Sequence, residues 1–521
     1  MKNIYTNPII YADYSDPDAI RVGEDYFMTA SSFCNTPGLP ILHSKDLVHW
    51  NLINYALRNV PGSRYEEPRH GCGVWAPAIR FHKGRYYIFF PMPDEGIYVT
   101  ETGDPYGSWS EPRLLIEGRG LIDPCPLWDE DGRTYMVHAY AKSRAGIKSV
   151  LDVAEIDEDC TRVLSPAIRV FDGNYNDQVT IEGPKLYKRN GYYYIFAPAG
   201  GVKQGWQVVL RSHDIYGPYE YRVVMEQKNT EINGPHQGAW VDTAEGEDFF
   251  IHFRDVYAGG RIVYLEPLTW REDEWPVIGD AEEDEVCGRP VEDYRMPVRG
   301  IDAEAVKAED LRKSEGNLYL PGQDLRWNAD HAEDWAAFDR KEGAVVLYAQ
   351  HSRESITQQP NLLLKMWTAP AFTETFKMDL ADLGESAEAG IINMGMRYGA
   401  LTIRSTEDTY VISRISGEQK FDHEQARGED HTEELTRLPK EDLKDGIRFR
   451  YEVVRVPSDA YNSDGKYIFP IPKEEVILSY GTEEGSFTEA LRFTAAAGRW
   501  VGVKYGFFVR GQNGSVRVCP A

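Results

Sequence analysis

The chain has little cysteine, no surplus of positive charge and no long apolar run. Its six cysteines among 521 residues are Cys34, Cys72, Cys125, Cys160, Cys287 and Cys519. They form no CxxC pair, so neither a zinc site nor a disulfide framework is indicated. No HExxH, P-loop or GxSxG segment occurs, which leaves zincin, NTPase and α/β-hydrolase chemistry without a motif. Lys and Arg number 57 against 83 Asp and Glu, a formal net charge of −26. That excess repels phosphate backbones and anionic lipid, so no nucleic acid and no membrane is expected as partner. A neutral ligand is the natural inference. No apolar stretch is long enough to cross a bilayer. The opening Met1-Lys2-Asn3-Ile4-Tyr5-Thr6 lacks the apolar core of a signal peptide. The chain as written is expected in the cytoplasm, or in the periplasm if a leader was removed. The sequence carries no signal for an oligomeric state.

What is present points to strands. The length suits two or three domains. The 32 Tyr and 12 Trp favour β-structure and also suit stacking on sugars. A hairpin signal recurs: an apolar strand, a Gly turn, then an aromatic strand. It runs Ile20–Phe27, Ile79–Tyr87, Leu127–Tyr135, Leu186–Tyr193 and Val241–Phe249, with turn glycines at Gly23, Gly84, Gly132, Gly191 and Gly246. The spacing is irregular at roughly 50–60 residues, long enough for a four-stranded propeller blade. Asp104-Pro105-Tyr106-Gly107 and Asp214-Ile215-Tyr216-Gly217 repeat further along two of the units. The expected fold is all-β: a five-bladed β-propeller over residues 1–295, followed by a β-sandwich domain.

Four residues before each strand's first apolar residue stand Asp16, Trp75, Asp123, Glu182 and Gln237. If these hairpins hold the innermost strands, the five positions converge on the propeller axis. Three would be carboxylates. Glycosidic cleavage needs one carboxyl group to protonate the leaving oxygen and a second to activate water or attack the sugar. A third, nearby carboxylate can raise the proton affinity of the acid. Register supplies the number of groups; it gives neither their separation nor the stereochemistry.

The segments Asn7-Pro8-Ile9-Ile10, Ser15-Asp16-Pro17-Asp18, Trp75-Ala76-Pro77, Ile122-Asp123-Pro124 and Ile181-Glu182-Gly183-Pro184 together resemble glycoside hydrolase family 43. So do Gly234-Pro235-His236-Gln237-Gly238-Ala239-Trp240 and Gly260-Arg261-Ile262-Val263-Tyr264. The resemblance implies an inverting mechanism. Asp16 would be the general base, Glu182 the general acid and Asp123 the carboxylate that tunes and orients the acid. Arg261 would contact sugar hydroxyls, while Trp75, Phe33 and Gln237 would line the sugar pocket. Asp13 and Asp18 read as turn and cap residues. His252 matches a family histidine that sits beside a calcium ion, so a structural Ca2+ is expected there, with no cofactor required for catalysis.

Residues 296–316 read as a charged linker, with a short helix over Ala303–Lys313. Strand patterns resume at about Asn317, as in Gly343–Ala349, Thr373–Leu380 and Arg448–Val454. Residues 317–521 resemble the concanavalin-like C-terminal domain of β-xylosidase-type family members. In that type a loop reaches the propeller face and narrows the pocket, which implies exo action. The resemblance thus implies release of terminal pentoses, α-L-arabinofuranose or β-D-xylose, from hemicellulose oligosaccharides such as arabinoxylan or xyloglucan. A non-catalytic sugar-binding propeller is the alternative.

Overall fold

The structure is a computed structural model that describes residues 3–315, 325–339, 342–422, 425–458, 471–483 and 485–521. Five four-stranded antiparallel sheets follow one another along the chain and close into a five-bladed propeller. Their first strands are Asp18–Val22, Ala78–His82, Leu121–Trp128, Lys185–Arg189 and His236–Asp242. Each turns into a second strand through one of the five expected hairpins. The five turn glycines all take φ between +68° and +83° with open space around Cα. A side chain there would meet backbone strain rather than a clash.

Within each blade the strands lie in chain order, and around the axis first strands pack against one another from the fifth blade through the first to the fourth, while His236–Asp242 packs on the second strand of the fourth blade. Apolar side chains fill the seams between blades. Val137, Leu186 and Ile195 share one core, and Met28, Ala239 and Ile251 another. Each of the Val, Leu, Ile and Met side chains, buried here to within a few per cent, contributes about 1.5–3 kcal/mol. The ring closes between the last blade and the first. Asn7 Nδ2 donates to Leu265 O and Val291 O at 2.8 and 2.9 Å, and Asn7 Oδ1 accepts the Leu265 N–H at 2.9 Å. Ile4–Thr6 pairs with Asp293–Arg295 just outside the ring.

The second domain is a sandwich of an eight-stranded and a seven-stranded sheet. The strand Ile447–Val456 shows why: Ile447, Phe449, Tyr451 and Val453 point inward in strict alternation with half-exposed neighbours. They meet Leu363, Ile391, Leu401 and Ile403 of the facing sheet. The expected linker helix forms over Ala303–Lys313, capped by Asp302, whose Oδ1 accepts the Ala305 N–H at 3.2 Å. The expected start of the second domain, Asn317, lies outside the described residues. No helix among the described residues is long and apolar enough to cross a membrane.

Candidate active site

Asp16, Trp75, Asp123, Glu182 and Gln237, one from each blade, line a single cavity of about 630 Å³ at one end of the axis. Irregular backbone aims them there. Asp123 sits at a register shift in the third blade with φ +56°, and Gln237 at a shift in the fifth with φ +34°. Asp16 has φ +55° two residues ahead of its strand. In the fourth blade Gly183, just after Glu182, takes the positive φ of +59°. Such left-handed residues and bulges turn side chains out of the sheet and toward the axis.

The carboxylates have different surroundings. Asp16 is buried and held at both oxygens: Arg261 Nη1 donates to Oδ1 at 2.9 Å and Ser31 Oγ to Oδ2 at 2.6 Å. Burial works against the charge on Arg261, yet Asp16, Asp255, Asp13 and Glu182 more than offset it and raise the Arg261 pKa. Asp123 is buried beside the backbone of Glu182, accepting the Gly183 N–H at 2.7 Å. Burial first, then the charge of Glu182 and more weakly that of Asp16, pushes its pKa up to about 7, against the opposing pull of Gly183 N–H and Lys185. The Glu182 side chain is 29% exposed where that of Asp16 is 7%. One carboxyl group thus faces the cavity while another is clamped in its wall.

Two domains build that wall. Phe33 and Trp75 lie with ring centroids 6.2 Å apart, and Trp75 meets Trp500 of the sandwich edge to face at 6.4 Å. Arg144 lies over Trp75 from the propeller side, its guanidinium 5.4 Å from the ring centre. Arg499 also lines the cavity. The segment carrying Arg499 and Trp500 reaches the site because Gly502 touches Gly260: a Cβ at Gly502 would stand 2.8 Å from Gly260 Cα.

Residues 5–276 match the family model for glycosyl hydrolases family 43. The chain belongs to glycosyl hydrolase family 43. Residues 321–519 match the β-xylosidase C-terminal concanavalin A-like domain. A putative β-xylosidase of Xylanibacter ruminicola is 38% identical over 69% of this chain, and the match spans 65% of that relative's length. A non-reducing end α-L-arabinofuranosidase of Bacteroides ovatus is 27% identical, covering 74% of this chain and 73% of its own. A solved GH43 glycoside hydrolase, engineered to display both endo-xylanase and exo-arabinofuranosidase activity, superposes over 100% of both chains with a TM-score of 0.80 at 21% identity.

In this family 43 chain the pocket holds a histidine to which the sequence alone assigns no role. His236 is buried, and its Nε2 lies 3.2 Å from Glu182 Oε1. The signal was its place directly before Gln237, at the bulge that aims both residues. Asp18 is not a simple cap. It lies fully buried on the axis, taking Arg80 Nη1 and the Ile79 N–H at 2.7 Å each, with Lys185 Nζ 3.5 Å away. His252 lies in the second strand of the fifth blade, wholly buried, its Nε2 3.2 Å from Glu266 Oε1 and its Nδ1 3.0 Å from Phe253 O. Calcium takes about six to eight oxygen ligands. The carboxylate beside His252 already accepts the Val291 N–H at 2.7 Å, and the adjoining rings are Phe250 and Tyr264. These surroundings do not fit the expected calcium ion. Among the described residues no three His, Cys, Asp or Glu side chains cluster as a metal site.

Proposed function

We propose that this chain is an exo-acting, inverting glycosidase that releases terminal non-reducing pentoses, α-L-arabinofuranose or β-D-xylose, from hemicellulose oligosaccharides such as those of arabinoxylan or xyloglucan. The observation that carries the reading is the convergence of Asp16, Asp123 and Glu182 on one cavity, with Arg261 against Asp16. The arginine and Ser31 keep Asp16 a fixed acceptor, as a general base requires. It takes a proton from water as that water's oxygen bonds to the anomeric carbon. Glu182, the more exposed carboxyl, gives its proton to the glycosidic oxygen as the bond from the anomeric carbon breaks. Asp123 holds the backbone beside the acid, and repulsion between the two carboxyl groups favours keeping a proton on the pair. Trp75, Phe33 and Gln237 shape the sugar site, and Arg261 reaches sugar hydroxyls beside the carboxylates.

Support for a pentose comes from the names of the relatives, a β-xylosidase and a non-reducing end α-L-arabinofuranosidase. Exo action rests on Trp500 and Arg499, which the sandwich adds to the cavity lining beside Trp75 of the propeller. A sugar-binding propeller without catalysis leaves the three differently set carboxylates unexplained. The test is a panel of nitrophenyl pentosides, with proton NMR of the first-formed sugar. Hydrolysis with inverted anomeric configuration supports the reading, with the Asp16 and Glu182 carboxyls roughly 6.5–9.5 Å apart. A retained configuration, or no hydrolysis of any pentoside, overturns it.

A further inference from the structure

One buried carboxylate at the edge of the site has no part in the chemistry above. Asp13 precedes Asp16 by three residues and is 6% exposed. Read as a turn residue in the sequence, it instead bonds far along the chain. Its Oδ1 accepts the backbone N–H of Arg261 at 2.8 Å, and its Oδ2 accepts the N–H of Gly502 at 2.7 Å. One oxygen therefore serves the propeller and the other the sandwich.

The surrounding backbone is shaped for this contact. A Cβ at Gly260 would lie 2.5 Å from Asp13 Cγ, so only glycine lets the carboxylate seat between the two chains. Val503 N–H adds a second link, donating to Ala258 O at 2.8 Å. Two residues before Gly502, Trp500 has φ +65° and stands 43% exposed. An aromatic residue in that region of φ holds its orientation only where its flanks are fixed. Asp13 fixes the nearer flank.

We propose that Asp13 is a positioning residue for hydrolysis, joining the Arg261 backbone to the 498–502 segment so that Trp500 and Arg499 complete the sugar pocket only when the two domains are docked. The proposal rests on the hydrolase reading of the same cavity. Both bonds run to a charged acceptor away from water, where such bonds are strongest. Losing them frees the wall at Trp500 and loosens the support of Arg261, which holds Asp16.

Two variants separate these effects. Asp13→Ala removes both bonds. Gly502→Ala crowds Gly260 and lifts the segment while leaving Asp13 on Arg261. Hydrogen exchange across 498–503 reads docking without reference to activity, and both variants should exchange there at least about tenfold faster than the parent protein. On a nitrophenyl pentoside, G502A should raise KM about tenfold with kcat within about twofold, whereas D13A should raise KM and lower kcat as well. In a Trp500→Ala background the KM effect of either variant should largely vanish, because the wall they position is gone. Unchanged exchange in both variants, or a KM effect that persists in full without Trp500, overturns the proposal. Should D13A not fold, G502A decides by the same readings. If the parent protein hydrolyses no pentoside, the hydrolase reading fails, and exchange alone still decides whether Asp13 docks the segment.

Discussion

At the residue scale the cavity wall sets three carboxyl groups of one kind in three environments. Asp16→Ala and Glu182→Ala should each lower kcat by more than about 10³-fold with the fold intact by circular dichroism, as their proposed roles of base and acid require. Either variant keeping a tenth of parental activity would remove that residue from the mechanism. Asp123 allows a prediction on stability. Its pKa is about 7 in the folded chain, above the ordinary carboxyl value, because burial and the Glu182 charge disfavour its ionised form. The folded state binds this proton more tightly than the unfolded chain, so the contribution to stability is full below about pH 4 and is lost as pH rises through the folded value. Asp123→Asn keeps an acceptor for Gly183 N–H and carries no charge. Its melting temperature should exceed the parent's at pH 8 by more than at pH 4, while activity drops. A difference independent of pH would show that Asp123 bears no such cost.

At the element scale the linker helix Ala303–Lys313 sends one buried side chain into a polar cluster at the first two blades. Asp310 is buried and accepts His43 Nδ1 at 2.9 Å, Asn51 Nδ2 at 2.9 Å and Tyr106 Oη at 2.7 Å, while His43 Nε2 meets Asp25 at 2.7 Å. Burial alone would lower the His43 pKa, but Asp25 and Asp310 on either side raise it overall. A raised histidine stabilises the fold when protonated, so this contribution is full below about pH 6.5 and is lost as pH rises through the folded value. Asp310→Ala should cost about 2–4 kcal/mol in urea unfolding, since it strips a buried cluster of its acceptor. Asp310→Asn should flatten the decline in stability above about pH 6.5. An unchanged slope would mean that His43 does not titrate against the helix. The helix itself was legible from the sequence of Ala303–Lys313. The face it uses was not, because Asp310 reads as one more surface charge until His43, Asn51 and Tyr106 close around it.

At the scale of the whole molecule the two domains share one site. Thr36 and Trp327 exchange backbone bonds of 3.2 and 2.6 Å across the interface, and His70, just ahead of the Trp75 segment, pairs with Asn328 and Gln419 of the sandwich at 2.9 Å each. A chain truncated near residue 300 should be poorly soluble or nearly inactive on pentosides, because it loses Arg499 and Trp500 and bares this interface. A soluble, fully active truncation would show that the propeller alone makes the pocket. Under the proposed exo mode, arabinose-decorated xylan and xyloglucan oligosaccharides should yield monosaccharide alone from the first minutes. Early di- and trisaccharides would instead reveal an open cleft.

The sequence by itself determined the five hairpins and the register of their axial residues. Turn glycines and alternating strands are local signals, and a repeat multiplies them. Asp16, Trp75, Asp123, Glu182 and Gln237 could therefore be read together once one blade was aligned with the next. Contacts between residues that occupy different positions in the repeat, or lie outside it, leave no such periodic trace. Only the tertiary structure decided that His236 lies against Glu182, that Glu266 and apolar rings surround His252, and that Asp13 spans two domains instead of capping its own turn. The reason is physical: a side chain's chemistry is set by what the folded backbone brings within hydrogen-bond reach, and at Asp13 those partners lie 248 and 489 residues away.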